Sequence, residues 1–350
     1  MEGALTIEEG SVGDLLSVTT SNVDALFETW PIKFLGPVAG AARLLQQYNP
    51  IWRSRANVAY HYDLSRELFR LFLDDDLQYS CAYFATGRET LEEAQARKKL
   101  HIAAKLLLQP GMRVLDIGSG WGGLAIDLAR RAEVDVTGIT LSPEQARAAI
   151  HRASLAGVGN SVRFELRDYR QQAGQFDRIV SVGMFEHVGA KHYTTFFECV
   201  RRMLKTDGVA VLHAIGRMGP PGGTDPWIRK YIFPGGYCPA LSEVLSAIER
   251  TGLWINDIEI LRLHYAETLR HWFERFQKNR DRARALYDER FCRMWEFYLA
   301  GCEMMFRNSS LMVFQIQLSH HKSVVPQTRD YMFDFERQQP PAWEATHKAA

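Results

Sequence analysis

From Met112 onward the apolar positions fall into short runs separated by amphipathic stretches of helical length. MRVLDI at 112–117 reads as a buried strand, followed by a glycine-rich turn and a helix over 124–131. Strand 135–140, helix 143–156, strands 162–167 and 177–182, helix 192–204 and strand 209–215 follow in order. Strands alternating with helices of this length predict an α/β fold, a mostly parallel sheet with helices on both faces. From Asn22 to Ala103 the spacing is helical instead, as in AYHYDLSRELFRLFL, with Asp63 and Ser65 available as caps and Asp74-Asp75-Asp76 as a break. Residues 1–20 show little periodicity and are expected to be loose. After Ile215 come the turn-rich loops GRMGPPGGTDPW and FPGGYCP, then a helical, arginine-rich insertion from Leu261 to about Phe306, and LMVFQIQLS at 311–319 as a final strand. The expected division is an N-terminal helical region over 1–105, a catalytic domain over 106–320 with its insertion at about 262–306, and a C-terminal tail over 321–350.

Composition narrows the partners. With 42 Lys+Arg against 41 Asp+Glu the net charge is +1, so no global field recruits nucleic acid or anionic lipid, and no nucleic-acid partner is expected. The cysteines Cys81, Cys199, Cys238, Cys292 and Cys302 are odd in number and scattered, with no zinc-like spacing. They imply reduced thiols, no metal site and a cytoplasmic protein. The N-terminus is acidic where a signal peptide is basic, and no apolar run approaches the roughly 20 residues of a membrane span, so a membrane would be reached from its surface.

The segment VLDIGSGWGGLA sets Gly118, Gly120 and Gly123 in G-x-G-x-x-G spacing between a strand and a helix. Nicotinamide, flavin and S-adenosylmethionine folds all use that turn to bring backbone amides to a ligand. The second strand ends in Thr140-Leu141-Ser142, without the acidic residue that binds ribose in a dinucleotide site. Asp116 lies two residues before the first glycine, and this D-x-G-x-G arrangement resembles the first motif of class I methyltransferases. A purely structural turn is the alternative. Asp168, in the RDYR run, is placed either to meet an adenine amino group or to cap a helix. Glu186-His187 directly follows an apolar strand, where parallel sheets put their chemistry. His187 reads as structural. His213 within VAVLHAIG reads equally as catalytic or as a satisfied core histidine.

NVAYHYDLS (57–65), QYSCAYF (78–84), VLDIGSGWGGLA (114–125), GITLSPEQ (138–145), RIVSVGMFEHVG (178–189), LHAIG (212–216), DPWIRKYIFPGG (225–236) and HYAETLRHWFERF (264–276) together resemble the cyclopropane-fatty-acyl-phospholipid synthase family and its mycolic-acid relatives. The resemblance spans about residues 55 to 320. It implies that Tyr79, Ser80, Gly118, Gly120, Gly122, Thr140, Leu141, Gln145, Asp168 and Tyr169 surround S-adenosylmethionine, with Asp116 beneath the glycine loop. It further implies a bicarbonate ion acting as general base, gripped by Cys81, Glu186, His213, Tyr265 and the backbone of Ile215. Cys302 matches a cysteine proposed as a nucleophile in the family, although a buried structural thiol fits its context better. Ser119 stands where the family usually has Cys.

The implied reaction methylates a cis double bond in an unsaturated phospholipid of the bilayer and closes a cyclopropane ring. The implied protein is a homodimer associated peripherally with the inner face of the membrane. An alkene cannot be activated by deprotonation, so catalysis rests on positioning and on shielding the resulting cation with aromatic faces. Tyr83, Phe84, Tyr231, Phe233, Tyr237, Tyr265, Trp272 and Phe273 lie in or beside the matched segments. The basic run KNRDRARALYDERFCR reads as a solvated helix face or as a contact for lipid headgroups. Methyl-branching or methylenation of a fatty acid, N-methylation of a small amine, and non-catalytic lipid binding on a relic scaffold are the competing readings.

Overall fold

A computed structural model describes residues 1–22 and 65–339. The NVAYHYDLS segment up to residue 64, Asp63 included, and the helical spacing over 23–64 lie outside the described residues. Five strands pair in parallel in the order β3-β2-β1-β4-β5, with β1 at Arg113–Ile117, β2 at Asp135–Thr140, β3 at Val162–Leu166, β4 at Phe176–Val182 and β5 at Leu204–Arg217. β6 (Trp254–Ile260) and β7 (Leu311–Ser319) complete the sheet, β7 running antiparallel between β5 and β6. The chain winds one way from β1 to β3 and the other way through β4 and β5, so the switch point lies between β1 and β4.

Adjacent strand residues feed different cores, as a sheet buried on both faces requires. Val114, Val136 and Val180 meet α3 (Leu91–Leu106), α4 (Gly123–Ala132) and α5 (Pro143–Leu155). Leu115, Ile139 and Ile179 meet α6 (Tyr193–Met203) and α8 (Leu241–Glu249). A third apolar cluster gathers α2 (Arg66–Phe72), segment 77–84 and the insertion helices α9 (His264–Lys278), α10 (Arg280–Leu286) and α11 (Glu289–Asn308). The short α7 (Pro226–Tyr231) lies beside it. Ser65 caps α2 as expected, its side chain accepting from the Leu68 amide.

Several elements differ from the sequence expectation. Residues 12–21 are not loose but form α1 (Val12–Ser21), started by a reciprocal cap between Ser11 and Asp14 and tied to α11 by a 2.9 Å bond from Asn308 to Thr20. The chain from 241 to 260, to which the sequence pattern assigns no element, carries α8 and β6. β6 escaped notice because a bulge between Ile255 and Asp257 breaks its two-residue alternation, and its acids are answered from outside: Lys105 reaches Asp257 and Glu259, and Arg329 reaches Asp257. Beyond β7, α12 (Asp330–Gln338) packs onto α3.

Candidate active site

At the switch point the β1 turn opens a cleft enclosing about 1160 Å³ with its mouth included. The turn is shaped by positive-φ glycines. A Cβ on Gly118, at φ +85°, would lie 2.6 Å from the Met184 side chain. The amides of Gly118 and Ser119 both donate to the Ile139 carbonyl, pinning the loop to β2. Of the residues assigned to the cofactor, Tyr79, Ser80, Asp116, Gly118, Gly120, Thr140, Leu141, Gln145, Asp168 and Tyr169 all line this cleft. Gly122 does not. It starts α4 at φ +84°, and a Cβ there would collide with Phe164 and Ala149, so its smallness serves helix packing.

Each wall has a local cause. Ser142 caps α5, with Pro143 in its first turn, and Gln145 bonds the Thr140 hydroxyl at 2.9 Å across that cap. Asp168 caps the 3-10 turn Tyr169–Gln171 and binds the Arg170 guanidinium at 2.6 Å while also facing the cleft. Asp116 is buried, its Oδ2 has no hydrogen-bond partner among the described residues, and desolvation pushes its carboxyl up to about 7. Gln78, Trp121, Met184 and His187 also line the cleft and were not anticipated. Trp121 could have been found from its place inside the glycine loop. His187 carries no local signal for this role; burial pushes its ring down to about 4, so it is neutral at pH 7.

Directly behind two walls of the cleft lie buried residues. Tyr79 and Ser80 face the cleft, whereas Cys81, next in the chain, is buried in the aromatic cluster with Tyr265. Met184 and His187 likewise face the cleft, and between them Glu186 is buried on the turn Phe185–His187. Glu186 Oε1 accepts the Ile215 amide at 2.6 Å; its Oε2 is buried with no partner among the described residues. Burial raises this carboxyl to about 7 even though the Ile215 amide opposes the shift. The Ile215 amide, expected to face a bound anion, thus belongs to Glu186.

Tyr265 lies within electrostatic reach of Tyr79, Cys81, Cys302 and Glu186, and burial is the main cause of its raised pKa. His213 shares a face of β5 with Ile215, two residues away. Gln315 Nε2 lies 3.0 Å from His213 Nδ1, making Nδ1 the acceptor and leaving the ring proton on Nε2; burial keeps the ring neutral. Cys302 on α11 is pushed by burial to about 12, so it is a thiol at neutral pH.

Aromatic rings pack around Tyr265. Tyr265 packs edge-on against Trp272 at 5.8 Å and Phe306 at 4.8 Å, and the hydroxyls of Tyr79 and Tyr298 are 2.8 Å apart. Tyr83 and Tyr237 lie elsewhere. Tyr83 is stacked between His101 and His264, and Tyr237 belongs to the core beneath α6 and α8, its amide donating to the Glu186 carbonyl.

A glycine turn at the switch point of this sheet, with a buried acidic residue at the end of β1, defines a class I S-adenosylmethionine-dependent methyltransferase. The unpartnered Asp116 oxygen and the glycine cradle fit that cofactor. A profile of the mycolic acid cyclopropane synthetase family matches residues 51–316, and the chain belongs to that family. A probable fatty acid methyltransferase of Pseudomonas putida is 41% identical over 291 residues, covering 79% of this chain and 73% of that protein. Cyclopropane-fatty-acyl-phospholipid synthase of Escherichia coli is 44% identical over 259 residues, 74% of this chain and 66% of that protein. Among solved structures, a mycolic acid cyclopropane synthase complexed with SAH and CTAB superposes with a TM-score of 0.72 at 37% identity, covering 78% of this chain and 99% of that one.

Proposed function

We propose that the protein methylates the cis double bond of an unsaturated phospholipid acyl chain and closes a cyclopropane ring with the help of bound bicarbonate. The observation that carries this reading is Glu186 Oε2, a buried acceptor without a partner among the described residues, on a turn whose neighbours Met184 and His187 line the cofactor cleft. When bound, S-adenosylmethionine supplies the methyl group and bicarbonate the base that takes a proton from it.

The chain's own residues account for the rest. Glu186 would hold the bicarbonate as a hydrogen-bond acceptor, and Tyr265 and His213 would hold it as donors. Cys81 stays a neutral thiol in the buried aromatic cluster, its ionisation suppressed by burial. Tyr265, Trp272 and Phe306 present ring faces and edges that exclude water from a cation on the acyl chain, each favourable face contributing roughly 0.5–2 kcal/mol. The alkene's π pair would form the new carbon–carbon bond to the transferred methyl, and after proton loss the C–H pair would close the ring onto the cationic carbon.

In this reading residues 1–105 face the lipid and supply the segment covering the cofactor, residues 106–320 form the catalytic domain, and 321–350 follow it. The protein acts as a homodimer at the cytoplasmic face of the membrane. No helix among the described residues is long and apolar enough to cross a membrane, which fits access from the surface. Identity with a probable fatty acid methyltransferase favours a second reading, in which the same cation loses a different proton and leaves a branch or a methylene group.

The test is mass spectrometry and NMR of vesicle lipids containing a cis-monounsaturated phospholipid, after incubation with the protein and methyl-labelled S-adenosylmethionine. A gain of one methylene with high-field ring protons supports cyclopropanation. The same mass gain without ring protons moves the assignment to the second reading, and no label in the lipid overturns both.

A further inference from the structure

Lys98, on α3, is wholly buried and does not itself line the cofactor cleft. Its ammonium donates to Gln78 Oε1 at 2.6 Å and to Ser80 Oγ at 2.8 Å. Gln95, one turn earlier on the same face, donates to the carbonyls of Gln78 and Ser80. Helix α3 therefore grips residues 78–80 from behind, and those residues present their other side to the cleft. Burial draws the Lys98 pKa down to about 8, with Asp74 opposing, so the charged form prevails at pH 7.

The position of this grip along the cleft gives it meaning. Asp168 lies just beyond the end of β3, Thr140 ends β2, Asp116 and Gly118 mark the end of β1, and Gly183 follows β4. A Cβ built on Gly183 would lie 3.8 Å from that of Ser80. Three strand spacings, about 14 Å, separate the Asp168 end from the Ser80 end. An elongated cofactor with its adenine toward Asp168 places its amino-acid group between Asp116 and Ser80. There the unpartnered Asp116 oxygen suits an α-ammonium, and a hydroxyl backed by an ammonium suits an α-carboxylate.

We propose that Lys98 is a positioning residue for the amino-acid end of S-adenosylmethionine. By occupying a lone pair of Ser80 Oγ, it leaves the Ser80 O–H as a polarised donor to the cofactor's α-carboxylate. The inference rests on the cleft being the cofactor site. It assigns a function to a buried charge that contacts neither cofactor nor substrate.

Calorimetry on the full chain tests it with two probes: S-adenosylhomocysteine, which carries the amino-acid group, and 5′-deoxy-5′-methylthioadenosine, which lacks it. Lys98→Met and Ser80→Ala are each expected to weaken the first probe about tenfold or more, the loss of one charge-assisted hydrogen bond, and to leave the second within about twofold. The double variant is expected to be no weaker than the poorer single one, because Lys98 acts through Ser80. Failure of the unmodified protein to bind either probe overturns the cofactor reading itself. With that binding intact, equal losses for both probes in Lys98→Met, additive losses in the double variant, or unchanged S-adenosylhomocysteine affinity in Ser80→Ala overturn the positioning role. The Ser80→Ala arm decides the matter even where Lys98→Met fails to fold.

Discussion

Glu186 and Ile215 are joined by a 2.6 Å hydrogen bond from backbone amide to carboxylate, which fixes one oxygen of a buried acid and leaves the other without a partner among the described residues. In Glu186→Gln the amide oxygen can keep the bond to Ile215, while Oε2 becomes an NH₂ that no longer accepts a proton. Turnover is expected to fall by at least about 100-fold, the low end for removing acid–base function. S-adenosylhomocysteine affinity should stay near normal, because Glu186 lies outside the cofactor cleft. Calorimetry showing lost cofactor affinity would contradict the assignment.

The same carboxyl gives a pH signature. Its folded pKa is raised to about 7 from an ordinary 4.5, so the folded state holds the proton more tightly than the unfolded chain. Its contribution to stability is complete below pH 4.5 and is lost as pH rises through about 7. Glu186→Gln removes that loss. The variant should therefore be more stable than the unmodified protein at pH 8, by up to about 3 kcal/mol for some 2.5 pKa units, with the gain shrinking toward zero below pH 5. Turnover, which needs the carboxylate, should rise between about pH 6 and 8. Denaturation curves at the two pH values and a pH–rate profile check both signs.

How far these relationships were legible depends on their range along the chain. The parallel strands and their helices were, because each is a short apolar run between glycine or polar turns, and the glycine loop with Asp116 is contiguous. Ten of the cofactor assignments face one cleft, since the ends of adjacent parallel strands must meet. Gly122 shows the limit of reading a loop glycine as a ligand contact, because its neighbours Phe164 and Ala149 come from β3 and α5. The grip of Lys98 on Ser80 and the bond from Ile215 to Glu186 join residues 18 and 29 positions apart. No local pattern encodes either, and a lysine in an amphipathic helix ordinarily signals solvent.

Cys302 is a poor candidate for a nucleophile. Its thiol is raised to about 12 by burial, leaving almost no thiolate at pH 7. Cys302→Ala is expected to keep turnover within about threefold and to lower stability by roughly 1 kcal/mol for the lost sulfur contacts. A loss of turnover beyond about 100-fold, with cofactor affinity unchanged, would restore a nucleophilic role.

His101 of α3 joins β6 to α12. Its ring is buried, with Glu259 of β6 2.6 Å from Nε2 and Glu336 of α12 2.5 Å from Nδ1, and Tyr83 is stacked on its face at 4.3 Å. Lys105, one turn along α3, opposes its charge, but the two carboxylates prevail and the pKa is raised despite burial. The imidazolium therefore adds stability that is complete below the ordinary 6.5 and is lost as pH rises through the higher folded value. Glu336→Gln removes one carboxylate and lowers that folded value. It should cost about 1–3 kcal/mol near pH 6, where the histidine is charged, and progressively less as pH rises through the folded value of the histidine. Chemical denaturation at pH 6 and pH 9 measures the difference. A penalty that is the same at both, or larger at pH 9, would mean that α12 is held by packing alone.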